Sequence, residues 1–333
     1  MAGPSFSASD AAAAFTDAAV SVIADINRDE APWYDGVFDV GPIDAISNPK
    51  YGDKSTTIVF GTGMDEVAYG QNVNYTSGKR GYTPQGALIP LKKGISIPMQ
   101  DLEANRGMDR AIDLVTEFVR VQQRWWINFK NARVARMLTH GSLTAGDRTA
   151  FQASFLDNAA TFDGLCYDGV SLFNAAHPLK APNGTTTTFD NHLASTALSA
   201  TNFDTAFQTM SVTNAIDETG ERIDITPRYL LGAANLRQTM FGITNTQNVP
   251  GTANMEDNVN RGIVQHRVVK QLTDSTWFLV GAPESVRIRD SGPLRVRSWL
   301  NNESNSMSFE VSGEFLAYPR DARHLLAANT ATS

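Results

Sequence analysis

The sequence predicts an α+β fold that combines a long β-arm, one long helix and a strand-rich C-terminal region. Residues 108–140 contain neither proline nor glycine and predict a single helix. Residues 54–104 alternate strand-like runs with glycine, proline and asparagine, which is typical of an extended hairpin. From about residue 262 onwards, short runs of apolar residues separated by turn residues predict a series of strands.

The predicted helix at 108–140 would be about 50 Å long. Its apolar residues fall into two stripes, which implies burial on more than one side of the helix. One stripe consists of Ile112, Val115, Val119, Trp126 and Phe129, and the other of Leu114, Val121, Trp125 and Ala132. Gly141 follows as a suitable residue for the C-terminal end. A weaker, alanine-rich helix is predicted at residues 8–27.

The β-arm at residues 54–104 is predicted to run out, turn at residues 77–81 and return through residues 87–99. A hairpin of this length is marginal alone and needs another surface to lie on. We therefore expect the arm, and the connector before it, to contact other copies of the chain. The candidate contact residues are Trp33, Tyr34 and Phe38 in the connector, and Ile58, Phe60, Lys79, Leu88, Ile89 and Leu91 in the arm.

The composition excludes several classes of protein. The 333 residues are 42% hydrophobic, which is enough for one large domain or two ordinary ones. A formal net charge of −7 argues against a broad nucleic-acid-binding surface. The N-terminus lacks the basic region of a signal peptide, and no apolar run approaches the roughly 20 residues of a membrane span. We expect neither a signal peptide nor a membrane anchor.

The sequence offers few candidates for catalysis or metal binding. It contains no phosphate-binding loop, no GxSxG and no HExxH motif. Its single cysteine, Cys166, has no obvious basic partner in the sequence and predicts neither a disulfide nor a cysteine-based zinc site. The five histidines are scattered, so no catalytic, cofactor-binding or metal-binding residues are predicted. A lone thiol fits a reducing compartment.

The most site-like string is 172–178 (LFNAAHP), in which His177 could act as a general base with Asn174 as its polar partner. The favoured interpretation is a buried turn in which His177 bonds to the backbone, because a histidine without a nearby nucleophile is usually structural. Lys79, near the tip of the arm, could in principle form an isopeptide bond with an asparagine of a neighbour. An ordinary exposed cation at a turn is the favoured interpretation.

The order of the elements resembles that of the major capsid proteins of tailed bacteriophages with the Hong Kong 97-type fold. The similarity in residues is best at 275–299 (STWFLVGAPESVRIRDSGPLRVRSW) and 306–329 (SMSFEVSGEFLAYPRDARHLLAAN). The string DGVSLFNAAHP at 168–178 is similar to a segment of head subunits related to the Mu major head protein.

This resemblance implies a division of the chain into regions. Residues 1–53 would form an N-arm and 54–104 an extended β-loop. Residues 105–190 would form a peripheral domain that includes a spine helix at 108–140, residues 191–282 an axial domain, and 283–333 the return to the peripheral domain. The N-arm is too short for the fused scaffolding domain of some family members, which implies a separate scaffold or none.

The expected function is therefore that of a major capsid protein, a structural subunit and not an enzyme, which assembles in the host cytoplasm into an icosahedral virion shell. Its expected partners are further copies of itself in hexamers and pentamers, packaged double-stranded DNA bound without sequence specificity, and possible scaffold, portal and decoration proteins. Four basic residues of the helix are the candidates for facing the DNA: Arg120, Arg124, Lys130 and Arg133.

Three alternatives to this expectation remain open at the level of sequence. An encapsulin-type compartment would share the fold but enclose protein cargo. A different virion protein, such as a tail or decoration subunit, would form rings or tubes. A cytosolic hydrolase would use His177 with an acidic partner.

Overall fold

The computed structural model of the protein describes residues 8–29, 31–43, 53–54, 58–59, 79–86, 88–100, 107–142, 166, 168–180, 186–218, 220–248, 257–272, 275–301 and 303–329. The main helices are α1 (Ala8–Asp29), α2 (Gly107–Thr139), α3 (Ala200–Gln208) and α4 (Arg237–Thr244). The predicted helices at 8–27 and 108–140 are thus confirmed to within a residue or two at each end.

The strands are numbered β1 to β16 along the chain. They are β1 (Asp39–Pro42), β2 (Asp53–Lys54), β3 (Ile58–Val59), β4 (Lys79–Arg80), β5 (Gln85–Gly86), β6 (Ile89–Pro98), β7 (His177–Lys180), β8 (Thr186–Phe189), β9 (His192–Leu193), β10 (Tyr229–Gly232), β11 (Gln265–Val268), β12 (Trp277–Val280), β13 (Val286–Asp290), β14 (Arg295–Asn301), β15 (Ser306–Pro319) and β16 (Leu325–Ala328). The predicted α+β class is therefore observed.

The first sheet has the order β1-β13-β15-β14, with β6 added to β15. Strand β6 pairs antiparallel with β15 along its whole length, from Pro98 opposite Ser306 to Ile89 opposite Phe315. The second half of the predicted arm is therefore a strand of the main sheet, while β2 pairs with β5 and β3 with β4 in short ladders. The predicted turn at residues 77–81 is wrong, because Lys79 and Arg80 form β4 and pair with Val59 and Ile58. Two exposed prolines, Pro90 and Pro98, are tolerated in β6 because it pairs on one side only within the described residues.

The second sheet has the order β11-β10-β12-β16-β9. All four residues of β12 are buried, which explains its continuous apolar sequence WFLV. Helix α3 begins after Ser199, whose hydroxyl accepts a hydrogen bond from the backbone N–H of Asn202 at 3.2 Å. The last strand, β16, pairs with β12, so the C-terminal end of the chain belongs to this second sheet and not to the first.

One face of α2 packs on the first sheet. Trp126 is fully buried and donates its indole N–H to the carbonyl of Gly292 at 3.2 Å. A Cβ at Gly313 would lie 2.8 Å from the ring of Trp126, so the strand needs glycine where the indole crosses it. The rings of Phe129 and Phe315 complete this aromatic cluster, with their centroids 6.4 Å apart.

The C-terminal end of α2 differs from the expected left-handed cap. Gly141 has no positive φ angle, and a Cβ there would lie 2.6 Å from the ring of Phe173. Glycine is therefore required at this position by the close approach of an aromatic ring and not by backbone conformation.

In the part of the chain that the structure describes, no helix combines the length and the hydropathy that a membrane crossing requires.

Candidate functional site

The most conspicuous surface feature of the described chain is an apolar stripe on the outer side of α2. Leu114, Val121 and Trp125 are 55%, 52% and 47% exposed, whereas Val115 and Trp126 next to them are buried. The two predicted stripes are therefore distinct faces of α2, but the prediction that both are buried is wrong for the single chain. Three large apolar side chains on one helix face are unusual on a protein that stays monomeric.

Part of this stripe forms one wall of a groove of about 370 Å³ between α2 and the first sheet. Strand β6 supplies the opposite wall, and Leu294 and Val311 form an apolar floor. The groove is lined by Leu91, Lys92, Lys93, Val121, Gln122, Trp125, Trp126, Leu294 and Val311. Lys92 and Lys93 are exposed, so the rim of the groove is cationic while its wall and floor are apolar.

The predicted contact residues of the N-arm lie mostly inside the chain's own core. Tyr34 and Phe38 are buried, and Trp33 is partly buried, with its indole N–H donating to the carbonyl of Asn131 at 3.1 Å. Arg267 fixes the same segment by donating to the carbonyl of Trp33 at 2.5 Å. Contact of these residues with another subunit stays a prediction, and their principal role in the described structure is to anchor the N-arm to the protomer.

The predicted contact residues of the arm fall into different environments. Leu88 is buried against Leu316 and Tyr318, whereas Leu91 is partly exposed and lines the groove beside α2. The remaining candidates are strand positions whose side chains are not described, namely Ile58 in β3, Lys79 in β4 and Ile89 in β6. Phe60 lies outside the described residues.

The four basic residues predicted to face DNA divide into two pairs. Arg124 is exposed, and Arg120 is partly exposed and paired with Glu117 at 2.5 Å. Lys130 and Arg133, in contrast, are 5% and 3% exposed. The structure thus places only the first pair where a polyanion could reach it without a rearrangement.

The two buried cations are held by their surroundings. Lys130 donates to Asp290 at 2.5 Å and lies 5.3 Å from the centre of the Trp126 ring. Burial raises the pKa of Asp290 in spite of this ion pair, and burial with the neighbouring Asp290 charge also raises the pKa of Tyr34. Burial lowers the pKa of Arg133 to about 10. Lys130 therefore belongs to the packing between α2 and the first sheet, since Asp290 is the last residue of β13.

The histidine of the LFNAAHP string is fully buried. His177 Nδ1 lies 2.6 Å from Asp168 Oδ2, and Nε2 lies 3.0 Å from the carbonyl oxygen of Leu172. The ring also stacks on Phe189 at 4.8 Å. Because both ring nitrogens are engaged and the side chain has no exposed surface, His177 cannot take a proton from a substrate in this structure. The expected contact of His177 with the backbone is observed at Leu172, but His177 begins β7 and does not lie in a buried turn, and its side-chain partner is Asp168 and not Asn174.

The environment of Cys166 differs from the one predicted from the sequence. The expectation that this thiol has no histidine partner is wrong, because donor atoms of Cys166, Asp168 and His177 all lie within 4.8 Å of one another. They do not form a catalytic triad, since His177 Nε2 faces a backbone carbonyl and not the sulfur. A spacing of eleven residues between cysteine and histidine matches no common motif, so only the fold reveals this cluster.

No family model matches the sequence, and no curated protein matches it. Solved structures of low sequence identity do match. A chain of Mycobacterium phage Patience is 12% identical, with a TM-score of 0.50 over 96% of this chain and 88% of that chain. A chain of the capsid of Myoviridae phage XM1 is 12% identical, with a TM-score of 0.45 over 89% and 90% of the two chains. A chain of the mature capsid of bacteriophage PhiM1 is 10% identical, with a TM-score of 0.45 over 90% and 87%.

At this level of identity the likeness concerns the fold, and it extends over nearly the whole chain. The protein therefore shares its overall fold with this chain of Mycobacterium phage Patience.

Proposed function

We propose that the protein is a major capsid protein, whose copies assemble into an icosahedral shell around double-stranded DNA. The observation that carries the proposal is the apolar stripe of α2 and its groove, exposed on a chain that shares its overall fold with a phage chain. A protomer that leaves Leu114, Val121 and Trp125 in water gains free energy by covering them, and repeated copies of one interface in a closed lattice cover them on every subunit.

The proposed regions follow the expected division, with residues 1–53 as N-arm, 54–104 as extended loop, 105–190 with 283–333 as peripheral domain and 191–282 as axial domain. The first sheet with α2 supports the peripheral assignment, and the second sheet with α3 and α4 supports the axial one. Three strands cross these proposed boundaries. Strand β1 of the N-arm and strand β6 of the extended loop pair within the first sheet, and β16 pairs within the second.

The extended loop, before β6 begins, is the proposed grip on neighbouring subunits. The described parts of this loop pair only in ladders of two residues, β2 with β5 and β3 with β4. Such short ladders contribute little alone. We propose that the loop is stabilised by burial on a neighbouring subunit, and that many such weak contacts add up in a closed shell.

The proposed contact with DNA is limited to Arg120 and Arg124, because their side chains reach the surface of α2. Two exposed cations on a chain of net negative charge suit the inner surface of a shell that must not bind the densely packaged DNA irreversibly. Exchanging both for glutamine should lower the amount of DNA retained per shell without affecting protomer folding. An unchanged DNA content would contradict this part of the proposal.

The first test is light scattering combined with negative-stain microscopy on the purified full-length chain, alone and co-expressed with the adjacent genes of its source. Closed shells, or rings of five and six subunits, are expected. The nucleic acid and protein content of the shells then distinguishes DNA packaging from an encapsulin-type compartment, which would contain protein cargo. A monomer or dimer in both preparations, at low and at high salt, would overturn the proposal.

A further inference from the structure

Cys166, Asp168 and His177 form a compact cluster of three metal-binding side chains in a segment that the assembly function does not use. One donor atom from each lies within 4.8 Å of the other two. The side chains of Asp168 and His177 have no exposed surface, and Cys166 is 4% exposed. Tyr82, from the returning part of the extended loop, lies close enough for the charges of Asp168 and Cys166 to contribute, after burial, to its raised pKa.

The hydrogen bonds of His177 determine which of its two ring nitrogens carries the proton and which one has a free lone pair. The carbonyl oxygen of Leu172 is an acceptor, so Nε2 must carry a proton and donate it across the 3.0 Å contact. The amide of Asn191 donates to the same carbonyl at 3.0 Å and holds it in place. The remaining nitrogen, Nδ1, then faces a carboxylate oxygen of Asp168 at 2.6 Å. Two lone pairs at this distance repel each other, so a proton lies at the contact unless the two atoms move apart to bind a common metal ion.

The arrangement around His177 is the one that proteins use to orient a metal ligand. A metal-bound histidine commonly donates its second ring N–H to a backbone carbonyl or a carboxylate, which fixes the tautomer and the direction of the free lone pair. Here the Leu172 carbonyl has that role, and the fixed lone pair points at Asp168, beside Cys166. Sulfur, imidazole nitrogen and carboxylate oxygen together form a ligand set typical of Zn²⁺.

The charges also fit a divalent ion. A thiolate, a carboxylate and a neutral imidazole carry two negative charges, so a divalent cation would make the buried cluster neutral as a whole. Without a metal, one proton at the His177–Asp168 contact and one on the thiol keep the buried cluster free of net negative charge. Binding would displace the thiol proton and the proton at the His177–Asp168 contact to solvent.

We propose that Cys166, Asp168 and His177 bind one Zn²⁺-type ion through Sγ, a carboxylate oxygen and Nδ1. Three protein ligands leave a fourth tetrahedral position for a water molecule or the phenol oxygen of Tyr82. With Tyr82 as the fourth ligand, the ion would tie the segment after α2 to the returning part of the extended loop.

The test uses the full-length chain, stripped with a chelator and then titrated with Co²⁺. Cobalt bound to a thiolate gives a characteristic charge-transfer absorption in the near ultraviolet. Because Cys166 is the only cysteine of the chain, this band reports the proposed site without any mutation. We expect the band to saturate at one Co²⁺ per chain, Zn²⁺ to abolish it by displacement, and metal analysis after dialysis to find one Zn²⁺ per chain.

Variants assign the ligands. Cys166→Ser should abolish the band, and Asp168→Asn should weaken binding at least tenfold. His192→Gln is the matched control, because His192 is a partly buried histidine outside the cluster and its exchange should leave the titration unchanged. A wild-type titration without the band, or zinc retention that survives Cys166→Ser, would overturn the proposal. The cluster would then be a histidine–aspartate ion pair beside a thiol.

Discussion

Asp321 shows how a single carboxylate fixes the turn between β15 and β16. Its side chain accepts the backbone N–H of Arg323 at 3.0 Å and pairs with the guanidinium of the same residue at 2.9 Å. Burial alone would raise the pKa of Asp321, but the charge and hydrogen bonds of Arg323 outweigh it and lower the pKa below the ordinary value of 3.8. The ionised form therefore stabilises the fold.

Asp321→Asn should lower the free energy of unfolding by about 1–3 kcal/mol at pH 7, because it removes the nearer of the two carboxylates that pair with Arg323 and leaves only Glu218, at 3.3 Å. Since the folded pKa lies below the unfolded one, this contribution is fully present above about pH 4 and disappears as the pH falls through the folded pKa. Urea denaturation of the unassembled chain between pH 7 and pH 3 should show the wild type and the variant converging in acid.

Asp17→Asn is the control for this experiment, because Asp17 is exposed on α1 and its exchange should change little at any pH. A difference between wild type and Asp321→Asn that stays constant down to pH 3 would contradict the assigned role of the carboxylate.

At the scale of the element, α2 presents two adjacent tryptophans in opposite environments. Trp126 is fully buried between the helix and the first sheet, while Trp125 is 47% exposed on the apolar stripe. Replacing each tryptophan by alanine should therefore distinguish an effect on protomer folding, at Trp126, from an effect on assembly, at Trp125.

Trp126→Ala should lower the free energy of unfolding by about 3–5 kcal/mol, because it leaves a cavity under β15. Trp125→Ala should change the stability of the unassembled chain by less than about 0.5 kcal/mol and yet reduce the yield of closed shells. Urea denaturation measures the first effect and light scattering the second. Wild-type shell yields from Trp125→Ala would show that the stripe is not an interface.

Local sequence patterns predicted the helices and strands of the chain but not how the strands of the arm and of the second sheet pair. The runs that became α1, α2 and the C-terminal strands were predictable because periodicity and turn residues act over a few positions. The strands that pair with β6 and β16 were not predictable from local patterns. The partner of β6 lies about 200 positions away in the sequence, and β12, one partner of β16, lies about 50 positions away.

The candidate site was predictable only in part, for the same reason. The pattern of α2 showed that two apolar stripes exist but not which of them the sheet would cover. Likewise, the basic residues around Lys130 did not predict that this side chain is buried in an ion pair with Asp290. The cluster of Cys166 with Asp168 and His177 was not predictable, because it forms only when the segment between Asp168 and His177 folds back on itself.

At the scale of the whole molecule, the arm can be removed without cutting the main sheet. A deletion of 55–100 would remove β6, so the better change replaces residues 55–84 by Asn-Gly. Lys54 and Gln85 are paired across β2 and β5, and a two-residue turn can therefore join them. The shortened chain should keep the thermal stability of the unassembled protomer to within a few degrees and fail to close shells.

Circular dichroism melting checks the fold of the shortened chain, and negative-stain microscopy checks its assembly. A chain in which Asn-Gly replaces only Ser77-Gly78, the two residues that precede β4 in the sequence, controls for the new dipeptide. Closed shells from the shortened chain would contradict the role assigned to the arm.

Two connections between the sheets run side by side. Gly281, after β12, donates its N–H to the carbonyl of His324 at 2.8 Å, and Arg320, after β15, donates to the carbonyl of Ser285 at 2.9 Å. These backbone hydrogen bonds join the two connections, so we expect them to resist twisting while allowing the two sheets to rotate about an axis along the connections. We expect the angle between the two sheets to change mainly about this common axis. Subunits at sharply and gently curved positions of a closed surface could then share one sequence while differing by a single rotation.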